Sequence, residues 1–308
     1  MDGTLKLKRV NNPVLSELAR GYSNAEHIGT KIFPVVEVTK EGGKVPLFSK
    51  EAFKIYNTER AIRAASNQIS PDSRSTVDFV LTEHDLSYPI DYRELDEDDM
   101  NLKMHATNVV TSGINLRLEK QIADLIQNTA NYPATNRITL TTGSGFNQSA
   151  SNPIQIIDDA KNAVRAQIAK HPNVAVLGAA TYSALKNHPA IVDRIKYTMN
   201  AVVTEDLLKQ LLTFEELYVG NAVYSNDSGD NVDLFGDFMG LYYIPKAQTK
   251  EKRSYYEPSY GYTFKKKLYP VVDFFDRDGK VLFVRSTDIF VPRIVGPDAG
   301  FLISNTVI

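Results

Sequence analysis

The 308-residue sequence contains no cysteine, which excludes disulfides, thiolate metal sites and cysteine nucleophiles. It also contains no run of about 18 apolar residues, so a transmembrane helix is not predicted. The first residues lack the apolar segment of a signal peptide. The formal net charge is only −2, which favours neither a strongly basic nor a strongly acidic partner. These absences predict a soluble protein made in a cytoplasm, without a membrane partner.

Groups suited to catalysis or metal binding are scarce. The acidic run at residues 96–99 resembles a metal cluster, but neighbouring positions on a helix point in different directions. Residues 226–233 lack the spacing of a calcium loop, and residues 141–147 match neither a phosphate loop nor a nucleophile elbow. We therefore expect no catalysis, no metal and no cofactor. No pair at metal-ligand spacing is formed by the five histidines, which are His27, His84, His105, His171 and His188.

A long polar segment, residues 36–70, lies between two stretches that are typical of β-strands. The stretch before it is rich in β-branched residues. In the stretch after it, Val77, Phe79 and Leu81 lie at alternate positions on one face, which indicates a half-buried strand. The pattern predicts a two-stranded hairpin that extends outward and has a polar tip.

A proline-free stretch, Arg93–Gln127, has apolar residues near helical spacing and predicts one helix about 45–50 Å long. The acidic run at residues 96–99 would lie in its first turn, where the helix dipole favours carboxylates.

The remaining elements follow in mixed order. An amphipathic helix is predicted from Pro153, then a buried strand with a turn at Gly178, and two short helices divided at Pro189. A further helix is capped by Thr204, three short strands follow, and residues 276–279 form a hairpin turn. The order is not a regular βαβ series, so the predicted class is α+β.

Basic residues and tyrosines are interleaved at residues 250–269, a mixture used to bind single-stranded nucleic acid. The same stretch is also compatible with an edge strand whose lysines face solvent. Both interpretations stay open. The residues of this nucleic-acid or interface patch are Lys250, Lys252, Arg253, Lys265, Lys266 and Lys267.

The order of these parts resembles that of the major capsid proteins of tailed bacteriophages, a family whose shell fold is shared by encapsulin nanocompartments. Residues 33–53 and 75–95 are similar to the extended E-loop of that family, and Leu95–Gln127 is similar to its spine helix. Residues 173–197 resemble its axial (A) domain, and residues 258–292 resemble the return into its peripheral (P) domain. The resemblance implies an α+β, HK97-like capsid fold.

The same resemblance implies five segments. They are an N-terminal arm (1–31), the E-loop hairpin with flanking strands (32–91), the P-domain with the spine helix (92–152), the A-domain (153–250) and the return to P-domain strands (251–308). Some relatives carry a cleaved N-terminal scaffolding segment, and we expect it here to be removed or to be a separate protein. No lysine–asparagine cross-link is expected.

The function implied by the resemblance is that of a major capsid protein. Such a protein forms pentamers and hexamers in an icosahedral shell around double-stranded DNA, which it contacts without sequence specificity. Its E-loop lies over the P-domain of a neighbour. Portal, scaffolding and decoration proteins would be partners, and the location would be the virion capsid after assembly in the host cytoplasm. The intersubunit contact candidates are Lys50, Lys54, Arg60, Arg63 and Arg74.

Three alternatives remain at this point. The chain is an encapsulin-like compartment that holds cargo, a soluble nucleic-acid-binding protein that uses residues 250–269, or an enzyme of unrecognised type. The enzyme is the least supported, because no catalytic group of residues stands out.

Overall fold

The computed structural model describes residues 10–11, 27–47, 58–60, 65–67, 76–96, 101–195, 203–226, 228–246, 259–277 and 279–308. The helices are α1 Gly29–Ile32, α2 Tyr92–Asp96, α3 Leu102–Gln127, α4 Pro153–Ile168, α5 Ala179–Asn187, α6 Pro189–Ile195 and α7 Glu205–Leu211. Short 3₁₀ turns lie at Thr129–Asn131, Ala134–Asn136 and Pro297–Ala299. The strands are β1 Val10–Asn11, β2 Val35–Val38, β3 Gly42–Pro46, β4 Thr76–Val80, β5 Thr82–Asp91, β6 Arg137–Thr139, β7 Val174–Gly178, β8 Glu216–Gly220, β9 Val223–Ser225, β10 Asn231–Asp233, β11 Phe238–Tyr242, β12 Gly261–Lys266, β13 Val271–Arg277, β14 Val281–Ile294 and β15 Gly300–Ser304.

The long helix α3 begins later than predicted. Asn101 has a left-handed backbone (φ 58°), and its side chain accepts a hydrogen bond from the Met104 N–H at 3.4 Å. This cap starts a helix of 26 residues, about 39 Å long. The prediction of one helix from Arg93 is therefore wrong in its first turns, because residues 92–96 form the separate helix α2. Asp96 consequently lies at the end of α2, and residues 97–99 lie outside the described residues.

Five strands form a central sheet in the order β6-β15-β11-β7-β8. Its three inner strands, β15, β11 and β7, are buried on both faces. Val174 and Val176 face helix α3, whereas Ala175 and Leu177 face helices α4 to α7. Successive side chains of a strand point to opposite faces, so one sheet supports two hydrophobic cores.

Six strands form a second sheet, the peripheral sheet, in the order β1-β13-β14-β12-β2, with β5 also paired to β14. The 14-residue strand β14 therefore bonds to β13, β5 and β12. Strand β12 lies between β14 and β2, to which it is parallel. The interpretation of this stretch as an edge strand is wrong, because both of its edges are paired.

Helix α3 spans both sheets. Near its start, Ala106 packs with Ile90 and Val284 of the peripheral sheet. Farther along, Ile122 and Ile126 pack in the core against the central sheet. A single helix thus joins the two sheets, as the resemblance to a spine helix implies.

The polar hairpin has a well-packed base. Strands β3 and β4 pair antiparallel, with Lys44 opposite Asp78. The Phe79 ring stacks on the Phe264 ring of β12, with the ring centres 4.4 Å apart. Phe79 and Leu81 are buried and Val77 is partly buried, which confirms the predicted alternation. The hairpin is thereby attached at its base to the peripheral sheet.

Several local predictions are confirmed. Helix α4 begins at Pro153, and a break at His188 before Pro189 divides α5 from α6. The Thr204 hydroxyl accepts a hydrogen bond from the Leu207 N–H and caps α7. The chain reverses between β13 and β14 as a hairpin. Together with the mixed sheets these elements confirm the α+β class.

Candidate functional site at the hairpin base

Glu41 joins three segments at the base of the hairpin. Its carboxylate forms an ion pair with the Lys266 ammonium, which raises the pKa of Lys266. Its backbone carbonyl accepts a hydrogen bond from the Leu81 N–H at 2.7 Å. The Lys267 N–H donates to the carbonyl of Val38 at 3.0 Å. The turn after β2, the end of β4 and the end of β12 are therefore held together. We call this surface the hairpin base.

Two of the three described lysines in the basic stretch have acidic partners within the subunit. The Lys265 ammonium lies 2.6 Å from Oδ2 of Asp288, a carboxylate that is only 4% exposed. The other oxygen of Asp288 accepts the Ile289 N–H at 2.9 Å. Lys266 pairs with Glu41, and Lys267 is exposed. The positive charge of Lys265 and Lys266 is thus balanced within the subunit.

Most of the candidate contact residues lie outside the described residues. This applies to Lys50, Lys54, Arg63 and Arg74 of the hairpin. It also applies to the three basic residues at positions 250, 252 and 253. Arg60 is described and is exposed. These assignments stay predictions.

The sequence reasoning missed an arginine-centred cluster on the peripheral sheet. Nε of Arg285 donates to Oδ1 of Asp273 at 2.9 Å, and Nη1 of Arg285 lies 3.9 Å from Oδ2 of Asp85. The Asp273 hydrogen bond raises the pKa of Arg285, whereas burial raises that of Asp85. The pairing of β13 and of β5 with β14 places these residues on one face, a signal that becomes visible only once the strands are paired.

The described residues give little support for a metal site, a catalytic histidine or a membrane-spanning helix. Within them, no three His, Asp or Glu side chains are arranged to hold a metal ion. The buried His188 has a structural environment: its Nδ1 accepts the Ala190 N–H at 3.1 Å, and its Nε2 lies 3.2 Å from the Ser151 hydroxyl. Of the helices in these ranges, none has the length and apolar character needed to cross a membrane.

Comparison with known proteins decides the family. Residues 30–263 match the family described as phage major capsid protein E. The chain is also 48% identical over 302 residues to the major capsid protein of Burkholderia phage BcepMu, and the match covers 98% of each chain. The chain belongs to the phage major capsid protein family. The expected family, function and location in a virion capsid are thereby confirmed.

Solved structures confirm the HK97-like fold of this capsid protein. A phage-related protein from Bordetella bronchiseptica is 30% identical, with a TM-score of 0.79 that covers 97% of this chain and 98% of the other. The encapsulin of Synechococcus elongatus has a TM-score of 0.54 and 10% identity, covering 96% and 95%. The similarity to the encapsulin shows a shared fold and does not indicate what a shell of this capsid protein encloses.

Proposed function

We propose that this capsid protein assembles with copies of itself, as pentamers and hexamers, into a closed icosahedral shell that encloses the double-stranded DNA of the phage. The observation that carries the proposal is the attachment of a polar hairpin, by its base, to a sheet of its own subunit. Assembly takes place in the host cytoplasm, with portal and scaffolding proteins.

The composition of the hairpin supports a role between subunits. Residues 47–75, between β3 and β4, are rich in charged and small residues and have few large apolar ones. Such a segment cannot bury enough apolar surface alone to offset the entropy of ordering it. A neighbouring subunit supplies the missing surface when the hairpin lies over that neighbour's peripheral sheet.

Charges of opposite sign on the two surfaces support this contact. The hairpin carries the five candidate cations Lys50, Lys54, Arg60, Arg63 and Arg74. Strand β5 of the peripheral sheet carries the exposed carboxylate Glu83, whereas Asp85 of the same strand is paired with Arg285 of its own subunit. A single exposed ion pair contributes only about 0–1 kcal/mol, but a closed shell repeats every pair at each equivalent interface.

The relatives of the chain and its charge support double-stranded DNA as the contents of the shell. The chain is 48% identical to a phage major capsid protein but only 10% identical to the encapsulin, which favours a genome over protein cargo. Tight binding to phosphates would hinder packaging and release of the genome. A net charge of −2 suits a wall that holds DNA without sequence specificity.

Electron microscopy of the purified chain, with light scattering alongside, tests assembly. We expect closed shells, tubes, or free pentamers and hexamers. A stable monomer or dimer at every salt concentration would contradict the proposal.

Deleting residues 50–73 tests the hairpin itself. The deleted chain should fold with an unchanged melting temperature, because the pairing of β3 with β4 is retained. It should form no shells. A matched control replaces the same residues by a shuffled sequence of identical composition, which should also fail to assemble. Normal assembly of the deleted chain would show that the hairpin is not an intersubunit element.

A further inference from the structure

His84 lies in the layer between helix α3 and the peripheral sheet. Strand β5 pairs with β14 so that His84 is directly opposite Asp288, and residues opposite each other share a face of the sheet. The His84 ring stacks on the Phe290 ring, with the ring centres 4.2 Å apart. Phe290 is buried and belongs to the core that also contains Ile114 and Leu118 of α3. His84 is therefore part of the packing that joins the sheet to the helix.

The surroundings of the His84 ring do not suit a second proton. Its Nε2 atom is buried and has no hydrogen-bond partner among the residues that the structure describes. A protonated imidazole carries an N–H on both nitrogens, so the cation would leave a buried donor unsatisfied. An unsatisfied donor on a charged group costs more free energy than one on a neutral group. The neutral ring is therefore the form that fits this layer.

Charged groups on three other elements bear on the protonation of His84. Helix α3 contributes Arg117, whose positive charge opposes protonation, and strand β14 contributes Asp288, whose negative charge favours it. The Asp288 carboxylate is already paired, because its Oδ2 lies 2.6 Å from the Lys265 ammonium of β12. The positive charge of Arg117 consequently outweighs the negative charge of Asp288 at the ring.

The charged neighbours of His84 along β5 face away from it. Glu83 and Asp85 point to the opposite face of the sheet, because successive side chains of a strand alternate. Oδ2 of Asp85 accordingly lies 3.9 Å from Nη1 of Arg285 on that face. Burial, and after it the charge of Arg117, lower the pKa of His84 from its ordinary value of 6.5.

We propose that His84 is a pH-sensitive joint between α3 and the peripheral sheet. When the ring is neutral, it packs on Phe290 and holds β5 in the layer beneath the helix. When the ring takes a proton from solvent, the cation leaves the layer for water, and β5 separates locally from α3. Every contact involved lies within one subunit, so the inference does not depend on the proposed shell or on its contents.

The direction of the pH effect follows from the lowered pKa of His84. In a chain in which β5 has opened, the ring binds its proton more tightly than it does in the layer. The stabilisation by the neutral ring is therefore complete at pH values above 6.5. It is lost as the pH falls below that value through the pKa of the group in the folded chain. Acid should consequently loosen β5.

Hydrogen exchange of backbone amides tests the joint. Strand β5, Thr82–Asp91, is compared in the unassembled original chain and in His84→Phe, because phenylalanine can stack on Phe290 but takes no proton. Exchange is measured at about one pH unit below and about one unit above 6.5. We expect the exchange rate of β5 in the original chain, divided by that in the variant, to be at least about twofold larger at the lower pH.

The central sheet and a second histidine provide the controls. For strand β7, Val174–Gly178, the same ratio should change less than about 1.5-fold between the two pH values. His171→Phe, at an exposed position outside this layer, should leave β5 as it is in the original chain. A β5 ratio that does not change with pH would overturn the proposal. Equal changes in β5 and β7 would also overturn it, because the whole subunit would then be unfolding.

A second measurement follows the proton itself. Histidine labelled with carbon-13 is titrated by NMR, and the signal that His84→Phe lacks belongs to His84. We expect this signal to titrate below 6.5 in the original chain, and at a higher pH in Arg117→Met, a change at an exposed position. Titration at or above 6.5, or at the same pH in both chains, would overturn the proposal. His84→Gln serves in both experiments if the phenylalanine variant does not fold.

Discussion

The Glu119 carboxylate, in the middle of helix α3, accepts hydrogen bonds from the Gly29 N–H at 2.8 and 3.0 Å and from the Ile28 N–H at 2.8 Å. Glu119 is buried, and the N–H groups that it binds belong to the start of α1. These N–H groups have no acceptor within a helix, so a carboxylate from another element satisfies them. The chain that leads into the peripheral sheet is thereby fixed to the long helix.

Gly29→Ala should destabilise the subunit. A Cβ atom at this position would lie 2.5 Å from Oε2 of Glu119 and 2.9 Å from Cδ1 of Ile122, so the carboxylate must move. We expect a loss of about 1–3 kcal/mol in the free energy of unfolding, measured by urea denaturation of unassembled chain. Gly42→Ala is the matched control: its Cβ would come no closer than 3.7 Å to any neighbouring atom. Equal losses in the two variants would contradict the role of Glu119.

Glu119 should also make stability depend on pH. Burial raises the pKa of its carboxyl above the ordinary value of 4.5, and the N–H groups of Ile28 and Gly29 oppose that rise. An acid with a raised folded pKa binds its proton more tightly in the fold. Protonation of Glu119 therefore stabilises the fold fully at pH values below the pKa of the group in the unfolded chain. This stabilisation is lost as the pH rises through the pKa of the group in the folded chain.

Glu119→Gln removes this titration. As the pH rises above the ordinary value of 4.5, the original chain should therefore lose stability relative to the variant, as followed by urea denaturation at each pH. Parallel pH profiles for the two chains would show that Glu119 does not titrate in this range.

Phe79→Ala should detach the hairpin base from the peripheral sheet. Phe79 is buried and stacks on Phe264, so its truncation leaves a cavity and removes the stack. We expect a loss of about 3–5 kcal/mol in the free energy of unfolding. Val80→Ala, on the next residue of the same strand, should change it by less than about 0.5 kcal/mol because Val80 is exposed. Similar losses for both would mean that the base is not packed as described.

Lys265→Met should destabilise the subunit because it leaves the buried Asp288 carboxylate without its cation. Removing one partner of a buried pair costs about 3–5 kcal/mol, and partial exposure of Lys265 places the expected loss at the lower end of that range. Lys267→Met, at an exposed position two residues on, should cost less than about 0.5 kcal/mol. Thermal unfolding of the two variants provides the comparison. A Lys265 variant as stable as the original would favour a surface role for that lysine.

Local signals in the sequence were sufficient for much of the fold. Alternation predicted the buried face of β4, proline predicted the start of α4, and the Thr204 hydroxyl predicted the cap of α7, because each signal lies within a few residues of the element that it specifies. The predicted start of α3 was wrong because the acidic residues before it favour a helix. The helix begins only after Asn101, which caps it with a left-handed backbone.

The candidate site depends on contacts between distant parts of the chain. Lys265 was assigned to a surface patch because its partner, Asp288, is 23 residues away. Strand β12 was taken for a possible edge because its parallel partner β2 comes more than 200 residues earlier. The left-handed backbone of Leu268 has no signature in its residue type, since leucine rarely adopts it.

The contacts of α3 with both sheets have a mechanical consequence for a wall built from this subunit. Tension that pulls the peripheral sheet away from the central sheet acts along a 26-residue rod packed on both. The rod cannot lengthen without breaking its own backbone hydrogen bonds, and β14 holds three neighbouring strands in register beneath it. Strain in the wall is therefore directed to the joints between subunits, so the subunits should keep their shape while the angles between them change.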